Sequence, residues 1–216
     1  MDTQKALLNR RSIRKYLDKP VDMDVVKRIM TAATWAPSGG NSQPWRFYVA
    51  TGAKRDEFIQ AMADASGPDS PSIQAYDEEM VPAYEKGLRQ AFAGKASEED
   101  LKKLGAISEK HNDYGSFRFF QAAVAIVVTR PAAGGSLMDI GAGVENLIIA
   151  AQGEGLGTCW LGKPLRFSDT IKRVLQIPDD ENLVTSVSLG YPDLDSPINN
   201  TERSRLPHDQ TVHYLE

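Results

Sequence analysis

The chain has 216 residues, 41 % hydrophobic and 25 % charged, which is ordinary globular usage and excludes the charge-rich, apolar-poor balance of a disordered segment. A single domain spanning 1–216 is the expected organisation, because one hydrophobic core can grow to roughly 250–300 residues before chains divide. A net charge of -4 and a pI near 5.5 lack the basic footprint that duplex binding needs, so nucleic acid is not an expected partner and any anion site must be local.

The N-terminal stretch Met1-Asp2-Thr3-Gln4-Lys5 runs into an amphipathic segment without the apolar core of a signal peptide, and no apolar run approaches bilayer length. With Cys159 as the lone cysteine, neither an intrachain disulfide nor a Cys-rich metal site can form, so a reducing, cytoplasmic setting is expected. Arg10-Arg11-Ser12-Ile13-Arg14 then concentrates guanidinium and hydroxyl donors of the kind that neutralise a phosphate monoester. A solvated basic helix end is the alternative. Arg203-Ser204-Arg205 is the matching concentration near the other terminus.

Asp22 to Trp35 carries Val25, Val26, Ile29, Met30 and Ala33 at helical spacing, with an acidic start. Pro37-Ser38-Gly39-Gly40-Asn41-Ser42-Gln43-Pro44 is a dense turn-forming stretch whose amides could read the edge of a heteroaromatic ring; a plain helix-to-strand turn explains it nearly as well. Trp45 to Thr51 reads as a strand and Lys54 to Ala63 as a helix. From about 66 to 113 the composition turns polar and charged, with a helix start at Ser97-Glu98-Glu99-Asp100, and predicts a helical excursion that could act as a lid.

Ala122 to Thr129 is wholly apolar and short, as a central strand covered on both faces would be. Ser136 to Gln152 predicts a buried helix whose Gly141, Ala142 and Gly143 admit close approach of another helix, a dimer interface being one setting for it. A glycine-rich turn leads to a short strand ending at Trp160, Thr170 to Leu175 reads as a helix, and Leu183 to Leu189 as a strand. The mixed order of elements predicts an α+β fold with a central, mostly antiparallel sheet surrounded by helices and an extended C-terminal arm. Gly155-Leu156-Gly157-Thr158-Cys159-Trp160-Leu161-Gly162 lacks the third glycine of a dinucleotide fingerprint, and a tight turn after a core strand competes with a ligand-facing backbone there.

Taken together and in this order, these clusters resemble the nitroreductase family of flavoproteins, over nearly the whole chain. Arg10 to Arg14 is similar to an Arg-x-Ser-x-Arg/Lys element, Pro37 to Trp45 to a Pro-Ser-x-x-Asn-x-Gln-Pro-Trp loop, Gly155 to Gly162 to the Gly-x-Gly-Thr-Cys-Trp-x-Gly stretch of one branch, and Arg203 to Pro207 to a C-terminal basic element. The loop is the most specific of the four. The resemblance implies an intertwined homodimer with two FMN molecules at its interface, NADH or NADPH as co-substrate, and ping-pong reduction of a nitroaromatic, a quinone or a similar small acceptor. It implies that Arg10, Arg11, Ser12, Arg203 and Arg205 hold the phosphate and ribityl chain, and that Arg14 and Asn41 address the pyrimidine edge. Pro37, Ser38 and Gly39 would come from the other subunit, with Gln43 in the same loop, and the backbone of Cys159, Trp160, Leu161 and Gly162 would face flavin N5. Where another branch has Pro-x-Glu-Gly, this chain has Cys-Trp-Leu-Gly, so the N5 contact must come from a different backbone.

In such a reading the cofactor carries the chemistry and no acid–base dyad is needed. Two other readings stay open: a specialised relative that consumes flavin or dehalogenates, and a flavin-binding dimer without turnover. Cys159 is expected to be buried and inert, Trp35 and Trp45 to fill core, and His111, His208 and His213 to lie on the surface without metal spacing. Tyr76, Tyr84, Phe92 and Tyr114 either line a channel or pack the excursion onto the body.

Overall fold

A computed structural model describes residues 2–215. Its sheet is antiparallel throughout, with strands β1 (Arg46–Thr51), β2 (Val124–Pro131), β3 (Gly157–Leu161) and β4 (Glu181–Gly190) in the spatial order β1-β2-β4-β3. The apolar run predicted as a central strand is β2, flanked by β1 and β4. Its side chains alternate as the pleat requires: Val124, Ile126 and Val128 enter one core, Ala125 and Val127 the other.

Helices cover both faces. On one side lie α2 (Met23–Thr34) and α7 (Leu137–Gly153), through Val26, Ile29 and Ala33 and through Ile140, Val144, Leu147, Ile148 and Ala151. On the other lie α3 (Gly52–Ala65) and α8 (Ser168–Leu175), through Phe58, Ile59, Met62, Ile171 and Val174. The short α1 (Thr3–Asn9) packs against α7. The expected α+β class, antiparallel sheet and helical cover therefore hold.

The two tryptophans expected in the core part company. Trp45 is buried, but Trp35 is 82 % exposed. It lies two residues beyond Ala33, the last buried residue of α2, and so about 200° around the helix from the core face.

Between α3 and β2 the chain forms α4 (Ile73–Ala75), a π turn over Tyr76–Met80, α5 (Val81–Phe92) and α6 (Glu98–Phe117). Pro82, which has no N–H to donate, sits at the start of α5 just after the widened turn. Ser97 and Asp100 form a reciprocal capping box on α6, as the Ser-Glu-Glu-Asp start predicted. At the other end of α6, the fully buried Arg118 donates to Ser70 Oγ at 3.0 Å, to the Pro71 carbonyl and to the Tyr114 carbonyl at 3.4 Å. It thereby ties the segment before α4 to the segment before β2.

The chain turns from α6 to β2 through three successive left-handed residues, Phe119 (φ 52), Phe120 (φ 51) and Gln121 (φ 56). For L-residues this costs about 1–2 kcal/mol each. Tertiary contacts hold the turn: Phe119 is fully buried with its ring 5.3 Å from that of Phe58, and Arg55 donates to the Ala122 carbonyl at 2.8 Å and to Gln121 Oε1 at 3.3 Å.

Candidate functional site

Residues 10–16 form an extended segment that runs parallel to the outer edge of β3. Ile13 N–H donates to the Thr158 carbonyl at 2.8 Å, and Ser12 forms a bridge with Thr158. Glycine at 157 permits this approach, because a Cβ there would lie 2.5 Å from Ile13 Cγ1. Ile13 and Tyr16 are buried, and the Tyr16 hydroxyl meets Ser188 Oγ at 2.8 Å. With those two side chains committed to the core, Arg10, Arg11 and Arg14 are left at the surface of the segment.

Asn199 joins this segment to the C-terminal part of the chain. Its side-chain oxygen accepts from Arg14 N–H at 2.8 Å, and its amide nitrogen donates to the carbonyls of Lys15 and Asp193 at 2.8 Å each. Its own carbonyl accepts from the Arg11 guanidinium at 2.6 Å. Arg203 donates to the carbonyls of Leu8, at 3.0 Å, and Arg10, at the C-terminal end of α1.

The result is a cavity of about 210 Å3 lined by Arg10, Arg11, Ser12, Arg14, Asn199, Thr201, Arg203 and Arg205. Five cations and no carboxylate face it among the described residues. Partial desolvation, and then the neighbouring Arg11, Arg205 and Arg10, hold Arg203 below the ordinary guanidinium range.

A second cavity of about 520 Å3 adjoins the first, sharing Arg14 and Thr201 with it. Cys159, Trp160, Leu161, Gly162 and Lys163 line it from β3 and the turn that follows; Tyr84, Asn112, Ser116 and Phe120 line it from the excursion, and Ile198 completes it. Lys163 forms an ion pair with Asp113 of α6 that links this turn to the excursion. The Trp160 indole N–H donates to Thr185 Oγ1 at 2.6 Å. Cys159 is buried as expected; burial pushes its thiol up, against the opposing pull of Arg14, Ser12 and Arg10, so it is no ready nucleophile.

His111, expected at the surface, is instead 1 % exposed. Its ring stacks 4.4 Å from Tyr84 and 5.6 Å from Tyr76, with Phe120 at 5.9 Å, and its Nδ1 has no partner. The helix turns this residue inward between aromatic neighbours that sequence spacing cannot reveal. Burial, and then Arg14 and Lys15, push its pKa down to about 4, so it is neutral near pH 7. Of the four excursion aromatics, Tyr84 lines the cavity, Tyr76 backs it, Tyr114 donates to the Asp69 carbonyl at 3.2 Å, and Phe92 is exposed.

The fold thus unites Arg10, Arg11, Ser12, Arg14, Arg203, Arg205 and Cys159 to Gly162. Within one chain it leaves out Pro37, Ser38, Gly39, Asn41 and Gln43, none of which lines either cavity. That loop is docked separately: Gly39 N–H donates to Asp139 Oδ2 at 3.1 Å, Gln43 N–H donates to Ser38 Oγ at 3.1 Å, and Asn41 and Gln43 take left-handed φ of 56 and 44. Sequence reasoning offered Tyr84 as a channel-lining residue and missed Asn112, Ser116, Phe120, Lys163, Asn199 and Thr201. The four-residue spacing of Asn112 and Ser116 on one helical face was a usable signal; nothing marked Asn199.

The family model described as "Nitroreductase family" matches residues 7–191. The chain is 31 % identical over 214 residues to a chloronitrobenzene nitroreductase from Comamonas testosteroni, covering 96 % of this chain and 94 % of that relative. It is 30 % identical to a 4-nitrobenzoate reductase from Nocardioides sp. (strain LMS-CY), covering 95 % and 87 %. Among solved structures, it resembles an FMN and NADPH-dependent nitroreductase from Sphigopyxis sp. strain HMH with a TM-score of 0.79 at 25 % identity, over 100 % of both chains.

Proposed function

The chain belongs to the nitroreductase family, and from that premise we propose that it is an FMN-dependent oxidoreductase passing reducing equivalents from NAD(P)H to a nitroaromatic, quinone or similar small acceptor. The observation that carries this reading is that the two cavities share Arg14 and Thr201 in their walls. An acid-free pocket of five arginines suits a phosphate, and the larger, mainly neutral cavity beside it suits a planar ring; the larger one, at about 520 Å3, falls in the range of small-molecule sites.

Arg10, Arg11, Ser12 and Arg205 would hold the FMN phosphate and ribityl chain, with Arg203 both supporting Arg10 and adding charge. When bound, FMN supplies two-electron redox chemistry between nicotinamide and acceptor. Arg14 lies where both cavities meet and would stabilise negative charge on a ring beside it. β3 is an edge strand whose outer side meets Ser12 only at Thr158; alternate residues of the ladder face away from β4, so the Trp160 N–H, with that of Gly162 beyond the strand, is available to donate to a ring nitrogen. No group in the cavity needs to act as a general acid or base in this reading.

The working unit in this proposal is a homodimer in which Pro37, Ser38, Gly39, Asn41 and Gln43 complete the partner's site. Three observations support it. The loop is exposed and outside its own chain's cavities. Leu8, Trp35 and Met138, on elements that pack against one another, are 75 %, 82 % and 85 % exposed, large apolar side chains that a second chain could cover. Residues 202–215 are exposed, as an arm awaiting a second chain would be. A cytoplasmic setting belongs to the same proposal and rests on the lone, unpaired cysteine; no helix among the described residues is long and apolar enough to cross a membrane.

Purified protein should be yellow and sediment as a dimer. NADPH or NADH should bleach the flavin anaerobically, and nitrobenzene should restore it. A colourless protein that takes up no FMN on reconstitution overturns the assignment, and a bound flavin that no nicotinamide reduces leaves a passive binder.

A further inference from the structure

Arg14 belongs to both cavities and adjoins the arginine cluster, whereas Lys163 lines the larger cavity alone. No Asp or Glu lines that cavity among the described residues; its other polar side chains are the neutral Tyr84, Asn112, Ser116 and Thr201, beside the buried Cys159 thiol. Its remaining walls are aromatic and aliphatic: Phe120, Trp160, Leu161 and Ile198. An occupant of this space beside a flavin therefore meets one ammonium group that the phosphate pocket does not share.

That ammonium is neither free nor locked. It pairs with Asp113, whose carboxylate sits on α6 outside the lining residues, and the two side chains are 45 % and 33 % exposed. Although the Asp113 Oδ1 of this pair is itself buried, both side chains keep water access, and pairs of that kind are worth about 0–1 kcal/mol, so a second carboxylate can compete with the first. Asn112 precedes Asp113 on the same helix and faces the cavity, where its amide can donate to the same incoming group.

We propose that the acceptor of this site is an aromatic carrying an anionic substituent, which Lys163 binds in exchange for Asp113. The proposal rests on the oxidoreductase reading above and narrows its substrate class to aromatic acids in preference to neutral nitroaromatics. It assigns Lys163 as a specificity-determining residue and Asp113 as its internal competitor. The two residues then act with opposite sign: removing the ammonium weakens an anionic acceptor, and removing the Asp113 charge strengthens it. A purely structural latch between the turn and α6 would make both substitutions act in the same direction.

The test uses the FMN-loaded protein as wild type, Lys163→Met and Asp113→Asn. It measures kcat/KM with 4-nitrobenzoate and nitrobenzene, binding of the non-reducible benzoate by calorimetry, and the rate of flavin reduction by NADPH and NADH. Lys163→Met should lower the 4-nitrobenzoate to nitrobenzene ratio about tenfold, which is about 1.4 kcal/mol, and weaken benzoate in parallel. Asp113→Asn should raise both by about threefold, the scale of a partly exposed pair. Flavin reduction by NADPH or NADH should change by less than the 4-nitrobenzoate to nitrobenzene ratio in either variant. An unchanged ratio, or a ratio moved the same way by both substitutions, overturns the proposal. So does an effect confined to reduction by NADPH or NADH, which would give the ammonium to the dinucleotide phosphates. If the wild type reduces neither nitro compound, the acceptor reading itself fails, and benzoate binding still decides the Lys163 contact.

Discussion

Asn199 and Arg14, 185 positions apart in sequence, are joined by a hydrogen bond of 2.8 Å from the Arg14 backbone N–H to the Asn199 side-chain oxygen. The same side chain holds the carbonyls of Lys15 and Asp193, and at 1 % exposure no water replaces it. Asn199→Ala leaves two backbone groups, the Arg14 N–H and the Asp193 carbonyl, without partners, at about 1 kcal/mol or more each, while the Lys15 carbonyl keeps the Asp193 N–H at 3.1 Å. A loss of about 2 kcal/mol corresponds to a melting temperature lowered by roughly 4–8 °C in a domain of this size. FMN should dissociate more readily from the variant, as read by fluorescence of released flavin, because the arginine-bearing segment loses its anchor.

Arg203 and Arg205 line one pocket but are spent differently. Arg203 donates to Leu8 and Arg10 carbonyls, whereas Arg205 donates only to its neighbour Ser204, at 2.8 Å. Arg203→Ala is expected to lower both thermal stability and FMN affinity. Arg205→Ala, and likewise Arg10→Ala, should weaken FMN by about tenfold or more, the value of one charge-assisted contact, while leaving the melting temperature of the apoprotein within about 2 °C of wild type. Equal FMN occupancy in the Arg10 and Arg205 variants would remove the phosphate assignment.

His111 gives the fold an acid-side weakness. Its pKa of about 4 in the folded chain lies below the ordinary 6.5, so the unfolded chain binds the proton more tightly. Stability from the neutral form is complete above pH 6.5 and is lost as pH falls toward 4, with a slope of at most one proton, about 1.4 kcal/mol per pH unit and about 3 kcal/mol in all. Subtracting the denaturation profile of His111→Phe from that of wild type should isolate this window. Parallel profiles between pH 6.5 and 4 would contradict the buried, neutral assignment.

Gly115 is the position where α6 is most crowded. A Cβ there would lie 2.4 Å from the Tyr76 hydroxyl and 2.5 Å from the Phe120 ring. Gly to Ala inside a helix ordinarily stabilises by about 1 kcal/mol. Here the clash is expected to dominate and destabilise by about 1–3 kcal/mol. Because Phe120 lines the larger cavity from a strained turn, Gly115→Ala should also raise the acceptor KM several-fold with FMN affinity unchanged. Steady-state kinetics on flavin-saturated protein would show it, and an unchanged KM would detach Phe120 from the acceptor.

The elements were legible wherever a local pattern reported burial. The uninterrupted apolar run of Ala122 to Thr129 marked the central strand, and the helical spacing of Ile140, Val144, Leu147, Ile148 and Ala151 marked a helix against it. Arg10 to Arg14 and Arg203 to Arg205 were legible as anion-binding stretches because five guanidinium groups concentrated in two short stretches are conspicuous in an acidic chain. The helical phase of Trp35 was misjudged because the helix ends beside it, with Ala33 before it and Ala36 after it taking the core positions. His111 was misplaced because its burial comes from Tyr76 and Tyr84, which are more than twenty residues away and pack on it only after α5 folds onto α6.

By itself the sequence determined the chemistry on offer: which segments were strands and helices, which could bind an anion, and which single thiol was inert. Those properties are local, set by side-chain type and by spacing within a few residues. Only the tertiary structure decided convergence. It brought two termini together through Asn199, placed Arg14 and Thr201 at the junction of two cavities, set Lys163 against Asp113, and kept the Pro37 to Gln43 loop apart from both cavities. These contacts join residues far apart in the chain, and they form because burying both faces of the sheet fixes where every connecting segment must emerge.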